Sequence, residues 1–197
     1  MPTSISLRSP DHLCPSLPTE SLTPPSLPFL SGTWAVTHST LPMWRKYRNV
    51  HITYTPLLND PSSRIDDLVT YQPLTSDSLK SVHGTDAPSF NTALSTLSWN
   101  WRGKGLLCWV TSQWEILGYG ELEEGKKQWM VTYFAKTLFT PAGIDIYSRG
   151  EEGLGEEVVN EITKRLGEVK GANDTFKELI GTLFEVKRDA GKCGVDG

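Results

Sequence analysis

Between Ser31 and Arg149, in a succession of short segments, apolar and aromatic side chains recur at every second position, the spacing of strands with one buried face. Trp34, Val36 and His38 share one face of a first strand. Val50, Ile52 and Tyr54 share a face of a second, where β-branched residues favour extension. Leu68 to Tyr71 reads as a third. Trp99 and Trp101 alternate with Asn100 and Arg102, Gly103-Lys104-Gly105 makes a tight turn, and Leu106 to Val110 returns. Trp114 to Tyr119 runs into Glu123-Glu124-Gly125-Lys126, a hairpin signal with a glycine available for positive φ. Trp129 to Phe134 comes back, and Ile144 to Tyr147 ends the set after a turn over Thr140-Pro141-Ala142-Gly143. The pattern predicts a mainly β fold, an antiparallel up-and-down β-barrel, because closure removes the unpaired edges that a meander leaves.

The flanks read differently. Residues 1–30 hold seven of the thirteen prolines and a single aromatic, Phe29, so they cannot bury enough surface to fold alone. They are expected to be a disordered or loosely docked arm, either dispensable or acting as a lid or partner-binding segment. Residues 73–96, rich in Ser, Thr, Pro and Asp, read as a long connection with a turn around His83-Gly84, of a length that often serves function. Beyond residue 150 the period becomes helical. Leu154, Val158, Val159, Ile162 and Leu166 form one stripe, stopping near Gly167. Phe176, Leu179, Ile180, Leu183 and Phe184 form a second, capped by Asn173 or Asp174. The expected organisation is an arm over 1–30, a barrel over 31–150, and helices over 151–197 that pack on it and fray at the end.

Charge and cysteine usage narrow the partners. Net charge is −4, and the only basic run is Arg45-Lys46-Tyr47-Arg48, too little to neutralise a nucleic-acid backbone. No segment of ~18 residues is continuously apolar, so no membrane span is expected. Cys14, Cys108 and Cys193 are odd in number and widely spaced, which fits a reducing compartment and neither a disulfide scaffold nor a zinc site. With no apolar run of a signal peptide at the start, the cytoplasm is the expected location. No Gly-x-Ser-x-Gly, phosphate-binding loop or dinucleotide fingerprint is present, and no cofactor is implied.

Gly32-Thr33-Trp34 opens the first strand as Gly-x-Trp. With the meander and the late helix, this resembles the lipocalin-like (calycin) superfamily over roughly residues 30–165. The resemblance implies that the glycine permits a close turn into the barrel. It also implies that the tryptophan plugs the closed end against an arginine from a late strand, here Arg149 or else Arg102. It points to an intracellular branch of that superfamily, since the signal and disulfides of extracellular members are missing.

All seven tryptophans lie between Trp34 and Trp129. Trp99, Trp101, Trp114 and Trp129 offer flat, rigid surface to an apolar or conjugated ligand, with Tyr54, Tyr71 and Tyr133 as hydrogen-bonding handles. Alternatively they only fill the barrel. His38, in phase with Trp34, is a candidate general base or haem ligand, or a structural histidine. Arg102, Glu115, Tyr119, Asp145, Tyr147 and Arg149 form an opposite-phase polar set, which would line the cavity if some strands faced the other way. The expected function is binding of a small hydrophobic or aromatic molecule. The alternative is a lipocalin-like enzyme of secondary metabolism, an isomerase, cyclase or lyase, using His38, Glu115 and Arg102 for proton transfer.

Overall fold

Gly32, at a φ of 92°, turns the chain into the first strand, and eight strands then follow one another round a closed wall. They are β1 (Gly32–Ser39), β2 (Tyr47–Pro56), β3 (Ile65–Pro73), β4 (Lys80–Pro88), β5 (Ser98–Gly103), β6 (Thr111–Leu122), β7 (Lys127–Phe134) and β8 (Gly143–Ser148). Each pairs antiparallel with the next, and β1 pairs with both β8 and β2, which closes the barrel. The computed structural model describes residues 5–13, 22–58, 60, 63–89, 97–123, 125–150 and 152–189.

Two strand assignments differ from the sequence pattern. Strand β4 lies inside the stretch expected to be a long connection, while Leu106 to Val110 forms a 3-10 turn and loop with Cys108 exposed. Strand β4 escapes notice because its inward positions include Gly84 and Asp86 rather than a run of apolar residues. Gly84 is required by packing: a Cβ there would lie 2.1 Å from Nε1 of Trp101, so the indole occupies the space of the missing side chain. The residues 90–96 of that connection lie outside the described set.

Two separate apolar cores share the wall. The inner one joins Trp34, Val36, Val50, Ile52, Tyr54, Trp99, Trp114, Ile116, Met130 and Tyr147. The outer one lies over β6, β7 and β8, where Leu117, Trp129, Val131, Tyr133, Ile144 and Ile146 meet α2 (Glu156–Glu168) and α3 (Asp174–Ile180). Val159, Ile162 and Leu166 of α2 are buried there, each contributing roughly 1.5–3 kcal/mol by removal from water. Asn173 Oδ1 accepts from the Phe176 amide at 2.8 Å and caps α3, a contact of about 1 kcal/mol.

The second apolar stripe does not stay helical to its end. Helix α3 stops at Ile180, and Phe184–Glu185 become β9, paired with His38 and Ser39. The reason is an opening in the wall. The β1–β2 ladder ends at Ala35↔His51, and the chain around Val186 fills the gap beyond it, bonding to Thr37 O and Asn49 N.

The described parts of the N-terminal arm are docked. Residues 5–13 run outside β6, where Arg8 N donates to Leu117 O and the Arg8 guanidinium reaches Ile116 O, Glu115 and Asp11. Nearer the barrel, α1 (Leu27–Leu30) lies across the closed end.

Candidate functional site

The strand directions set up two unlike ends. At one, Leu30 is buried over Trp34, whose Nε1 donates to Leu30 O at 2.8 Å. Arg149, just past β8, lays its Cζ 3.8 Å from the centre of the Trp34 ring and donates to Thr33 O, Phe29 O and Ser31 O. Burial lowers the Arg149 guanidinium to about 10. This end is sealed.

The other end opens into a cavity of about 260 Å³. Its mouth is formed by Leu41, Trp44, Leu107, Thr137 and Phe139, from the loops after β1, β5 and β7. Ile52, Tyr54, Val69, Val82, Trp101, Trp114 and Phe134 form the apolar wall. Behind that wall the rings are layered. Tyr54 stacks on Trp114 with centroids 5.5 Å apart, and Trp99 stacks on the same indole at 5.8 Å, both with planes 14° apart.

The same interior holds three carboxyl groups. Asp67 on β3 and Asp145 on β8 line the cavity, and Asp86 on β4 lies behind it, fully buried. Asp86 Oδ1 accepts from Trp114 Nε1 at 2.7 Å, and Asp145 accepts from the Ser39 hydroxyl. Burial pushes Asp67 and Asp145 up to about 7, and drives Asp86 well above the usual carboxylate range with help from the neighbouring Asp67 charge. Tyr54 and Tyr147, also interior, are raised by burial, Tyr54 further by its neighbour Tyr147 and Tyr147 further by the Asp145 charge.

The residues singled out in the sequence divide between the faces. Tyr54, Trp101 and Trp114 line the cavity, and Trp99 backs Trp114. Tyr71 sits in the wall toward the mouth, in an edge-on cluster with Trp44 and Tyr47. Trp129 and Tyr133 face outward under the helices, Tyr133 meeting Phe176 at 6.3 Å.

The three catalytic candidates also stand outside. A bulge between Val36 and His38 breaks the alternation, so Val36 pairs inward with Tyr147 while His38 pairs outward with Ile146. Burial lowers the His38 pKa, partly offset by Glu185 and reinforced by Arg188. Glu115 pairs with Tyr133 on the outer face and binds Arg8, and Arg102 pairs with Thr85 and Thr111, also outside. The opposite-phase polar set is therefore split. Asp145 and Tyr147 are interior, Tyr119 meets Phe29 at the closed end, and Arg149 plugs.

Asp67 and Asp86 were missed because an isolated aspartate reads as a turn residue, and nothing local marks it as buried. The alternation Val82, Gly84, Asp86 and the need for an eighth strand were the only signals available.

A closed eight-stranded antiparallel barrel, with an arginine over the tryptophan of Gly32-x-Trp34 at its sealed end, is the lipocalin-like (calycin) fold. Among solved structures the chain is similar to apocrustacyanin C1, with a TM-score of 0.55 and 13% identity over 83% of this chain and 79% of that one. It is also similar to the siderocalin Ex-FABP, with a TM-score of 0.50 and 13% identity over 85% of this chain and 99% of that one. No protein-family model matches the sequence, and no curated protein matches it either.

Proposed function

We propose that this protein binds a small hydrophobic or aromatic molecule inside the barrel. The observation that carries the reading is the cavity itself: about 260 Å³, open at one end and walled mainly by aromatic and aliphatic side chains. Its size falls below the ~300–1,000 Å³ of sites for drug-sized ligands, so the occupant is compact, closer to one ring system than to a long chain. The similar siderocalin Ex-FABP functions through dual ligand specificities, which is consistent with a barrel of this kind serving as a binding site. Proton-transfer chemistry was expected of His38, Glu115 and Arg102, and all three lie across the wall from the cavity. Binding is therefore the reading the geometry favours.

Calorimetric titration with n-propylbenzene tests it. Saturable binding to the wild-type chain is expected, with loss of binding in Val69→Trp, where the larger side chain fills the cavity. Absence of binding to the wild type, or equal binding by a folded Val69→Trp, refutes the reading. Native mass spectrometry of protein purified from its own host gives a second, independent readout.

A further inference from the structure

We infer that the molecule taken into this cavity carries a protonated amine, its ammonium group seated on Asp67 beside Asp86 and its apolar body against the tryptophan wall. This inference rests on the binding function proposed above.

Asp67 faces the cavity between Tyr54 on β2 and Gly84 on β4, and Asp86 lies farther along β4, opposite Ile65 and Trp101. Asp67 is only 6% exposed and Asp86 not at all. Asp67 and Asp86 hydrogen-bond to each other, and Asp67 also to the Trp101 indole; among the described residues no charged donor meets Asp67 Oδ1 or Asp86 Oδ2. Among the described residues no lysine, arginine or histidine lines the cavity. A buried carboxylate with no cation beside it carries a desolvation cost, and buried charges in native structures are usually paired. On the outer face the part-buried Glu115 has such a cation in Arg8. Asp67 instead borders the cavity with Asp86 behind it and no cation beside either, a place that a ligand cation would fill.

The rest of the lining selects the kind of donor. Two adjacent carboxyls share a proton and retain about one negative charge, which matches a single cation. Trp101, packed over Gly84 beside Asp67, presents an indole ring to the cavity, the strongest kind of cation–π partner. A metal fits poorly, since no group of three or more His, Cys, Asp or Glu among the described residues could hold one. The groups facing Asp67 are Asp86, Tyr54 and Tyr147 from neighbouring elements and the Trp101 indole, with Asp66 and His83 on the outer side. None supplies a cation inside the cavity. With Asp67 titrating at about 7, amine binding should strengthen as pH rises through neutrality and release protons.

The test is calorimetric titration of the full chain with phenethylamine, its neutral isostere n-propylbenzene, and the anion 3-phenylpropionate, at about pH 8 and about pH 5.5. At the higher pH phenethylamine should bind about tenfold or more tighter than n-propylbenzene, as a charge-assisted contact predicts. The advantage should shrink at the lower pH. It should vanish in Asp67→Asn, while n-propylbenzene affinity persists and shows that the variant is folded. Equal affinity for amine and isostere at about pH 8 overturns the inference and leaves the binding function standing. Tightest binding of 3-phenylpropionate also overturns it, because the carboxyls then act as protonated donors to an acid. Failure of all three to bind overturns both readings.

Discussion

The barrel wall carries two groups of acids, a part-buried one outside and a buried one inside, and they are handled in opposite ways. Outside, Glu115 and Asp11 converge on Arg8, whose side chain is almost wholly buried. Its guanidinium is 2.9 Å from Glu115 Oε2, and Glu115 also accepts from the Asp11 amide at 2.9 Å. Inside, Asp67 and Asp86 have each other and the Trp114 indole, but no cation. The outer group fastens the N-terminal arm to the bulge in β6. The inner group leaves binding capacity unspent within a cavity. The outer acids are met by a cation from the chain itself, and the inner pair is not.

The most damaging way to disturb this contrast is to make the outer site resemble the inner one. Arg8→Ala leaves the part-buried Glu115 without its cation and should lower stability by about 3 kcal/mol in urea denaturation. Arg8→Met combined with Glu115→Leu should recover much of that loss. If Arg8→Ala costs under about 1 kcal/mol, the arm is not held by this ion pair.

Next in size is the sealed end. Arg149→Ala removes the cation over Trp34 and three carbonyl contacts, and should cost about 2–3 kcal/mol by the same measurement.

A smaller, pH-dependent effect should come from the interior. Asp67 and Asp145 titrate at about 7 when folded against 3.8 as ordinary side chains, so between those values the folded state holds protons that the unfolded state has released. Stability should therefore fall as pH rises from near 3.8 to about 7. Asp145→Asn should flatten that slope, and an unchanged slope would remove Asp145 as a contributor.

The smallest effects should be those of His38→Ala and Arg102→Ala on n-propylbenzene affinity, within about twofold of wild type, since neither side chain reaches the cavity. Loss of binding on either change would show that the outer face communicates with the site.

Much of the scaffold can be read from local pattern, because strand formation depends on alternation and helix formation on a stripe. The ends of β6 and β7 at Leu122 and Lys127 and the cap at Asn173 follow from short-range chemistry, while the plug at Trp34 is implied by the resemblance that Gly32-x-Trp34 carries. The site is harder to read. Strands β7 and β8 are buried on both faces, one against the cavity and one against α2 and α3, so alternation alone does not distinguish them. Trp129 and Tyr133 therefore look like cavity residues until the helices are placed. His38 looks interior until the bulge after Val36 is seen.

The sequence by itself determined that this chain is a tryptophan-rich barrel with one sealed end, because period-two burial, Gly32-x-Trp34 and the late helical stripes are written in neighbouring residues. Only the tertiary structure decided which face is the inside. Bulges in β1 and β6 shift the phase of the side chains, and a docked arm and two helices bury the outer surface as deeply as the inner one. Asp67, Asp86 and Asp145 come from three strands far apart in the chain, and closure of the wall is what brings them into one interior.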